Sequence, residues 1–391
     1  MDARLIVEKF KVALKSETTG IQGEQLGLAV CSWSDDYQGK NVLYYYKGGE
    51  LDQTMLEKAS LIVTKQPVGE VSLPVVKIDY DYLVEGSVLQ IAPSGKIRVM
   101  FNPESGNNAL FVTDACNNYC VMCPQPPKPV SIEHCTDYLL EIISLIRQCD
   151  APESLGITGG EPTMIREGLI EVISKASEKF PETVIQLLSN GRFFAYRDYT
   201  KELSATTKKL FVGIPLFGAT SDIHDYIVQA KGAFEQTING IYECKRQGIE
   251  VELRVVLHKH TVEELDLLVE FIHRNLPFVN HVALMGMENM GFAKMNYKDL
   301  WIDPVEYKAK LSRVVEMLTL FGMNVSVFNL PFCLVDPSIW NHCRQSISDF
   351  KTAYHPTCKL CSMKSECAGF FSSTNEKFLL TDPINIVPVE A

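Results

Sequence analysis

Three cysteines stand within eight residues in the segment Cys116-Asn-Asn-Tyr-Cys120-Val-Met-Cys123. Thiolates bind soft or borderline metals, including zinc, Cu(I) and the iron of iron–sulfur clusters. A structural zinc ion needs four ligands, whereas a four-iron cluster held by three thiolates keeps one iron open to a substrate or cofactor. We therefore interpret the absence of an adjoining fourth cysteine as the functional feature of this segment.

A second pattern, Gly159-Gly160-Glu161-Pro162, follows the first strand that is predicted after these cysteines. Two glycines let the backbone approach a ligand closely, and backbone carbonyls beside a carboxylate suit a cation. In isolation the pattern would indicate an ordinary strand-to-helix turn. Its position after the cysteine segment favours a cofactor site instead.

Cysteines cluster again between Cys333 and Cys367, where Cys358-Lys-Leu-Cys361 forms a CxxC pair. Clustered thiols in a reducing compartment indicate a metal or redox site rather than disulfides. Four thiolates suit an auxiliary iron–sulfur cluster or a structural zinc ion. The remaining cysteines are interpreted as small buried hydrophobic residues: Cys31, Cys135, Cys149 and Cys244.

The elements that must position these residues are apolar strands alternating with helix-period segments, about 30–40 residues apart. Strands are predicted at residues 154–158, 183–189, 209–215, 250–257, 281–287 and 324–328. Helices are predicted at residues 139–146, 161–180, 234–247, 262–274 and 304–320. This alternation predicts an α/β fold with a right-handed βα repeat and a parallel sheet, whose chemistry lies at the carboxyl ends of the strands.

Three regions follow from the pattern. Residues 1–105 are predicted to be β-rich, with a hairpin turn at Pro93-Ser94-Gly95, and are a candidate for substrate docking. Residues 106–330 form the α/β core, and residues 331–391 form a loop-rich, cysteine-rich region.

Composition and charge exclude some classes of function. Hydrophobic residues make up 46% of the 391-residue chain and charged residues 22%, which is typical of a globular protein with a core. The net charge of −11 argues against a partner bound through nucleic-acid phosphates. No apolar run reaches the roughly 18 residues of a membrane span, and the first residues do not resemble a signal peptide. We therefore expect a cytoplasmic protein with no nucleic-acid or membrane partner.

The CxxxCxxC spacing of residues 116–123, followed by the Gly-Gly-Glu-Pro of residues 159–162, resembles the radical S-adenosylmethionine (SAM) family. The resemblance implies a partial (β/α)6-type parallel barrel in which Cys116, Cys120 and Cys123 hold a catalytic [4Fe–4S] cluster. The open iron would bind SAM, and one electron from a donor such as flavodoxin or ferredoxin would cleave SAM to a 5′-deoxyadenosyl radical. The protein's task is then to position the reacting atoms and exclude competing reactions.

The same resemblance implies that Gly159, Gly160 and Glu161 meet the SAM ammonium. Met122 stands where the family usually has an aromatic residue near the adenine, and a thioether can fill that space.

Weaker matches concern three further residues. Ser189 and Asn190 could bond the SAM ribose or carboxylate, or could form a plain Asn-Gly turn. Arg254, in an apolar strand where an unpaired charge is rarely buried, could reach the SAM carboxylate or face the surface. The segment from His224 to Phe234 also resembles the family's sequence. We interpret it as structural, shaping a loop and capping the next helix.

The tail resembles the SPASM and twitch domains of peptide-modifying radical SAM enzymes, which hold auxiliary iron–sulfur clusters. On that resemblance Cys333, Cys358, Cys361 and Cys367 are the expected ligands of a second [4Fe–4S] cluster, and Cys343 is spare. A zinc ion at the same four thiols stays an open alternative.

Residues 116–127, 284–288, 346–351 and 367–371 resemble the HxsC-type radical SAM maturase of the His-Xaa-Ser system. The resemblance implies a ribosomally made peptide or protein substrate with His-Xaa-Ser repeats, and a partner maturase. Two alternatives stay open: a MoaA-like enzyme acting on a small molecule, and a non-catalytic zinc protein using the pairs Cys120/Cys123 and Cys358/Cys361.

Overall fold

The computed structural model describes residues 12–15, 17–19, 21, 23–78, 83–345, 351–373, 381–382 and 385–389. The chain divides into two compact units that are discontinuous in sequence. The first comprises Met1–Val112, Ser131–Gly159 and Ile165–Gln186, and the second comprises Thr113–Val130, Gly160–Met164 and Leu187–Ala391. The three-region division at residues 105 and 330 stays a prediction.

A mixed eight-stranded sheet lies in the first unit. Its elements are β1 (Val12–Lys15), β2 (Glu17–Thr19), β3 (Gln25–Val30), β4 (Val42–Tyr46), α1 (Gln53–Lys58), β5 (Leu61–Thr64), β6 (Val75–Lys77), β7 (Val88–Ile91) and β8 (Lys96–Phe101). The strand order is β1-β8-β7-β3-β4-β5-β6-β2, with β3 to β6 parallel. Buried apolar residues such as Leu43, Val63 and Ile97 form its core.

The predicted hairpin is confirmed, because β7 and β8 pair antiparallel and Gly95 supplies the positive φ of 81° that the turn needs. The sequence also predicts a strand at residues 26–33, and the observed strand ends earlier, at Val30. The sequence did not predict α1, β5 or β6. Their apolar runs are short, and β5 is buried along its whole length and so lacks the alternation that marks a strand.

The rest of the first unit contains β9 (Ala109–Phe111), α2 (Cys135–Leu145), β10 (Ser154–Thr158), α3 (Glu167–Lys179) and most of β11 (Val184–Leu188). Strands β9 and β10 are parallel. The helix predicted from residue 161 begins later, at Glu167, because Pro162–Ile165 form a 3-10 turn and Arg166 adopts a positive φ of 49°.

The second unit holds α4 (Arg197–Thr206), β12 (Leu210–Pro215), α5 (Ser221–Val228), α6 (Ala233–Arg246), β13 (Glu250–Leu257), α7 (Lys259–Glu263), α8 (Leu265–Asn275), β14 (His281–Gly286), α9 (Gly291–Met295), α10 (Tyr297–Leu300), α11 (Pro304–Leu320), β15 (Val325–Phe328) and β16 (Cys343–Arg344). Strands β12 to β16 pair in sequence order and all run parallel. Helix α11 starts where predicted, since Asp303 and Glu306 form a capping box around Pro304.

Strand β13 shows how the second unit builds a functional face. Residues 251, 253, 255 and 257 are buried, so the intervening Glu252 and Arg254 share the other face of the sheet. Two short strands, β17 (Thr352–Ala353) and β18 (Phe370–Phe371), pair antiparallel in the tail. The predicted fold class, an α/β core with a β-rich amino-terminal region and a cysteine-rich tail, is confirmed. Across the described ranges, no helix combines the length and apolar character that crossing a bilayer requires.

Candidate cofactor site and cysteine-rich tail

The loop that carries Cys116, Cys120 and Cys123 is fixed by its backbone. The Tyr119 and Val121 N–H groups donate to the Val228 and Ile227 carbonyls at the end of α5, over 3.0 and 2.9 Å. The Cys123 carbonyl accepts from the Phe292 N–H at 2.8 Å. The loop is therefore held from two sides of the second unit, although it contains no helix or strand of its own.

Two polar side chains beyond β11 hold the outer part of this loop. Arg192 Nη1 donates to the Asn117 carbonyl and to Asn118 Oδ1, both at 2.6 Å. Asn190 Nδ2 donates to Asn117 Oδ1 at 2.6 Å. Burial raises the pKa of Cys116, and the cation of Arg192 only partly opposes that rise.

Gly160 packs directly against the cysteine loop. Its N–H donates to the Thr113 carbonyl at 2.6 Å, and the Glu161 N–H donates to the Ala115 carbonyl at 2.8 Å. A Cβ at residue 160 would overlap the Ala115 carbonyl, so this close approach requires glycine. Gly159 follows β10 and belongs to the first unit.

The Glu161 carboxylate lies 1% exposed among donors from its own chain. Oε1 accepts from the Thr163 N–H and hydroxyl and from Ser189 Oγ, at 3.0, 2.6 and 2.8 Å. Oε2 accepts from the Asn190 N–H at 2.7 Å. Burial raises the pKa of Glu161, while these donors oppose the rise. A carboxylate oxygen can accept more than one bond, so Oε2 keeps capacity for a ligand.

Ser189 and Asn190 thus meet Glu161, and they do so through a turn, because Gly191 has a φ of 80°. The two interpretations drawn from the sequence, a turn and a polar site, are compatible here. The sequence reasoning missed Arg192, Thr163, Asn117 and Asn118. The adjacent asparagines inside a cysteine loop were a usable signal, since their amides need hydrogen-bond partners when they are partly buried.

Burial disfavours the thiolate form of all three cysteines. Burial, and then the Glu161 carboxylate, raises the pKa of Cys116 to about 12. Burial, followed by the Cys123 and Cys116 thiols, raises the pKa of Cys120. Burial also raises the pKa of Cys123. Iron binds the thiolate form, so loading a cluster must release these protons.

Met122 and Arg254 occupy different surroundings. Met122 is buried in an apolar cluster with Phe217, Ile227 and Met287, beside the cysteines. Arg254 Nε lies 3.5 Å from Glu252 Oε1, with its side chain 27% exposed, so it is neither unpaired nor freely solvated. Burial lowers its pKa, and Glu252 opposes that shift.

The structural interpretation of the segment from His224 to Phe234 is confirmed. The Asp225 carboxylate accepts from the Gly232 and Phe234 N–H groups, at 2.5 and 2.7 Å, and so shapes the loop at the start of α6. His224 Nδ1 accepts from the Phe217 N–H at 3.3 Å.

In the tail, the four expected ligands line one cavity. They are Cys333, Cys358, Cys361 and Cys367, and the walls between them are mostly apolar, including Phe370 and Ile386. Burial, and then the Cys367 and Cys358 thiols, raises the pKa of Cys333 to about 12. Four thiols that line one apolar enclosure are the ligand type of an iron–sulfur cluster.

Two backbone N–H groups point at these sulfurs. Gly369 donates to Cys367 Sγ and Val389 donates to Cys361 Sγ, both at 3.4 Å. Ser362 fixes Val389 in turn, because its N–H and hydroxyl donate to the Val389 carbonyl at 3.0 and 2.8 Å. Hydrogen bonds to cluster sulfurs are one of the means by which a protein sets reduction potential.

Cys343 does not line this cavity; its thiol lies 3.6 Å from the Ile339 carbonyl. Within the described part of the chain, no three His, Cys, Asp or Glu side chains are grouped closely enough to hold a metal ion. Among the scattered cysteines the interpretation as buried residues holds for Cys244 and is wrong for Cys149, which is exposed.

The remaining resemblance segments lie in the same unit. Residues 346–350 fall outside the described residues. Their neighbour Lys351 forms an ion pair with Glu288 at 3.2 Å, with the side chains only 13% and 12% exposed. This pair ties the tail to the residues that follow β14.

Comparison with known proteins finds a family model that matches the cysteine loop and its surroundings. Residues 110–272 match the model of the Radical SAM superfamily. The matched residues include the CxxxCxxC and Gly-Gly-Glu-Pro motifs. Backbone hydrogen bonds connect the second motif to the residues just before the first. A match to this family model implies a [4Fe–4S] cluster and SAM as cofactors.

Three similar proteins are informative. The chain is 30% identical to Fe-coproporphyrin III synthase of Methanosarcina barkeri, over 41% of this chain and 39% of that protein. It is 26% identical to the sporulation killing factor maturation protein SkfB of Bacillus subtilis, over 41% and 38%. It is 26% identical to a probable GTP 3′,8-cyclase of Saccharolobus solfataricus, over 49% and 59%. The chain therefore spans about two to three fifths of the length of these relatives.

A solved structure of Streptococcus suis SuiB bound to S-adenosylmethionine is 15% identical, with a TM-score of 0.46 over 56% of this chain and 49% of that chain.

Proposed function

We propose that this chain is a radical SAM enzyme that reductively cleaves SAM and modifies a ribosomally made peptide or protein. The observation that supports the cofactor chemistry best is the hydrogen-bonded path from the cysteine loop to Glu161. Asn117 meets Asn190, and the Asn190 N–H meets Glu161 Oε2. Two motifs that are distant in sequence thus form one polar site beside three thiols.

The residues of this site have separate tasks in the proposal. Cys116, Cys120 and Cys123 hold the catalytic cluster, which with SAM would supply a 5′-deoxyadenosyl radical. Glu161 accepts the SAM ammonium at Oε2, the oxygen that carries one bond. Gly159 and Gly160 have no side chains, so SAM can approach the backbone closely. Met122 offers an apolar, polarisable surface for the adenine.

Asn190 and Ser189 act in the proposal by orienting the carboxylate, and the Asn190 amide faces the same site. Arg254 would reach the SAM carboxylate only if its contact with Glu252 loosened. We therefore assign it a supporting role on the sheet face.

The tail cavity is proposed to hold a second [4Fe–4S] cluster on Cys333, Cys358, Cys361 and Cys367. Such a cluster could accept an electron from the substrate radical or bind the substrate. The thiol set and the N–H···S donors support iron–sulfur chemistry there.

A peptide or protein substrate is supported by peptide-related relatives. SkfB is described as a maturation protein, and the subtilosin biosynthesis protein AlbA of Bacillus subtilis is 29% identical over 39% of this chain. The finer proposal is a substrate with His-Xaa-Ser repeats, a partner maturase, and an electron donor such as flavodoxin or ferredoxin. Residues 1–105 are proposed to dock the substrate.

A small-molecule substrate is the second candidate, because relatives include the Fe-coproporphyrin III synthase and the GTP 3′,8-cyclase. The net charge of −11 disfavours a substrate rich in phosphates.

The test begins with anaerobically purified protein, whose iron, sulfide and zinc are measured beside its visible spectrum. We expect about eight irons, from two four-iron clusters, and negligible zinc. About four irons with one zinc would keep the SAM chemistry and refute the second cluster. Production of 5′-deoxyadenosine is then compared with and without candidate His-Xaa-Ser peptides, GTP and iron coproporphyrin. A mass change in a peptide supports maturation, whereas consumption of only a small molecule overturns it.

A further inference from the structure

A chain of three hydrogen-bonded side chains crosses the amino-terminal ends of β13, β14 and β15. His281 Nδ1 lies 2.6 Å from Glu252 Oε2, and His281 Nε2 lies 2.9 Å from Ser326 Oγ. Ser189 and Glu288 lie at the other ends of the strands, because they follow the carboxyl ends of β11 and β14. The radical SAM motifs use none of these three residues.

The strand register explains how the three side chains meet. Glu252 pairs directly with His281, and Ser326 pairs with Ala283. His281 and Ala283 are two residues apart on β14, so all three polar side chains share one face of the sheet. Phe328 lies edge-on to the imidazole, with ring centroids 6.1 Å apart, and limits its rotation.

The carboxylate decides which imidazole nitrogen carries the proton. Glu252 can only accept a hydrogen bond when it is ionised, so Nδ1 is the donor and Nε2 is left to accept from the Ser326 hydroxyl. Arg254 Nε lies 3.5 Å from the other carboxylate oxygen. The order is serine, histidine, carboxylate, the arrangement that activates a hydroxyl nucleophile.

A cavity opens in front of the serine and histidine. It is open to solvent, and its lining includes Ser326 and His281 but not Glu252. Apolar walls come from Phe211, Met323 and Val325, and polar ones from Asn324, Asn341 and Arg344. The nucleophile therefore faces the space, while the orienting carboxylate lies behind it.

We propose that Ser326 and His281 form a second, hydrolytic site for small esters with an apolar acyl group. Ser326 Oγ attacks the acyl carbon while His281 Nε2 takes the hydroxyl proton and passes it to the departing alkoxide, which leaves as an alcohol. Water, deprotonated by His281, then attacks the acyl-serine. The carboxylic acid leaves and Ser326 recovers its proton, so ester and water give acid and alcohol. Glu252 is the positioning residue, and Arg344 and Asn341 are the donors available to the carbonyl oxygen.

The site is tested with a fluorophosphonate probe, which a nucleophilic serine displaces at phosphorus with loss of fluoride. The full chain is treated with the probe, the adduct is located by peptide mass spectrometry, and hydrolysis of p-nitrophenyl butyrate is followed in parallel. We expect one adduct at Ser326. His281→Gln should lower the labelling rate about 10²–10⁴-fold, the range for removal of a general base. An unlabelled Ser326 in the wild-type protein overturns the proposal, whatever the variants do.

Matched variants separate catalysis from folding. Ser326→Ala should lose the adduct and the ester hydrolysis, while Ser338→Ala, at an exposed serine, should keep both. For Glu252→Gln, ¹⁵N-histidine NMR should show loss of the Nδ1–H tautomer of His281 alongside slower labelling. An unchanged tautomer would refute the role of Glu252. Labelling that persists in Ser326→Ala would overturn the site, and SAM cleavage in that variant should stay at the wild-type level because the two sites are separate.

Discussion

The two cysteine-rich regions of the second unit are built in different ways. The loop of residues 116–123 is held by polar groups: Arg192, Asn190 and the Glu161 backbone. The tail cysteines line a mostly apolar cavity and receive N–H groups at their sulfurs. A polar surround with only three thiols suits a site that must admit a charged cofactor. An apolar surround with four thiols suits a closed centre, since low polarity and few open positions limit exchange with solvent.

The largest expected effect comes from removing a thiol of the loop. Cys116→Ala should reduce 5′-deoxyadenosine formation to background, because the loop has only three thiols and the proposed cluster needs all of them. Iron should fall by about half, since the tail would keep its cluster. Cys149→Ala, at an exposed thiol, is the control and should change neither quantity. Wild-type cleavage in Cys116→Ala would contradict the catalytic role of the loop.

Gly160→Ala should have the next largest effect, because the new Cβ overlaps the Ala115 carbonyl and pushes the loop away. A displacement of this kind should lower SAM cleavage about 100-fold. The change should also cost about 1–3 kcal/mol of the free energy of unfolding, as overpacking does. Gly69→Ala is the matched control, since its Cβ would meet nothing within 4 Å. Equal activities of the two variants would show that loop and Gly160 are not coupled.

The tail can be separated from the loop with a pair of cysteine variants. Cys361→Ala should remove about half of the iron and keep SAM cleavage within about tenfold, while substrate modification is lost. Cys343→Ala should leave the iron unchanged, because this thiol is outside the cavity. Iron analysis and electron paramagnetic resonance after reduction measure both. Loss of iron in Cys343→Ala would reassign the fourth ligand.

Acid should lower the free energy of unfolding through two buried histidines of the second unit. Burial lowers the pKa of His224 to about 4, and burial, then His260, lowers that of His258 to about 3. Their stabilising effect is present above the unfolded value of about 6.5 and is lost as the pH falls from there, because the unfolded chain binds protons first. Between pH 7.5 and 5 the loss is about 2 kcal/mol per histidine.

Thermal unfolding of the metal-free protein at both pH values checks this. His258→Gln should lose stability less steeply with acid than the wild-type chain does. The same slope in both proteins would show that His258 is not buried in the neutral form.

Much of the core fold was predictable, because β10, β13 and α11 begin and end where their apolar patterns do. The pattern failed where backbone conformation overrode it, as at Arg166, which delays α3. In the site, the contact of Arg254 with Glu252 was within reach of the sequence, since residues two apart on a strand share a face. The contact of Arg192 with Asn117 was not, because 75 residues separate them and only the fold brings them together.

The backbone of residues 385–389, which passes over Cys361 through Val389 and is fastened by Ser362, has a consequence for the lifetime of the tail centre. If the tail holds the proposed cluster, lifting of this segment would remove the N–H donor from Cys361 Sγ and ease the approach of oxygen or a chelator to that sulfur. Opening of a short segment is a local event with its own free energy, smaller than that of global unfolding. The rate at which air bleaches the tail centre should therefore follow the strength of two hydrogen bonds from one serine.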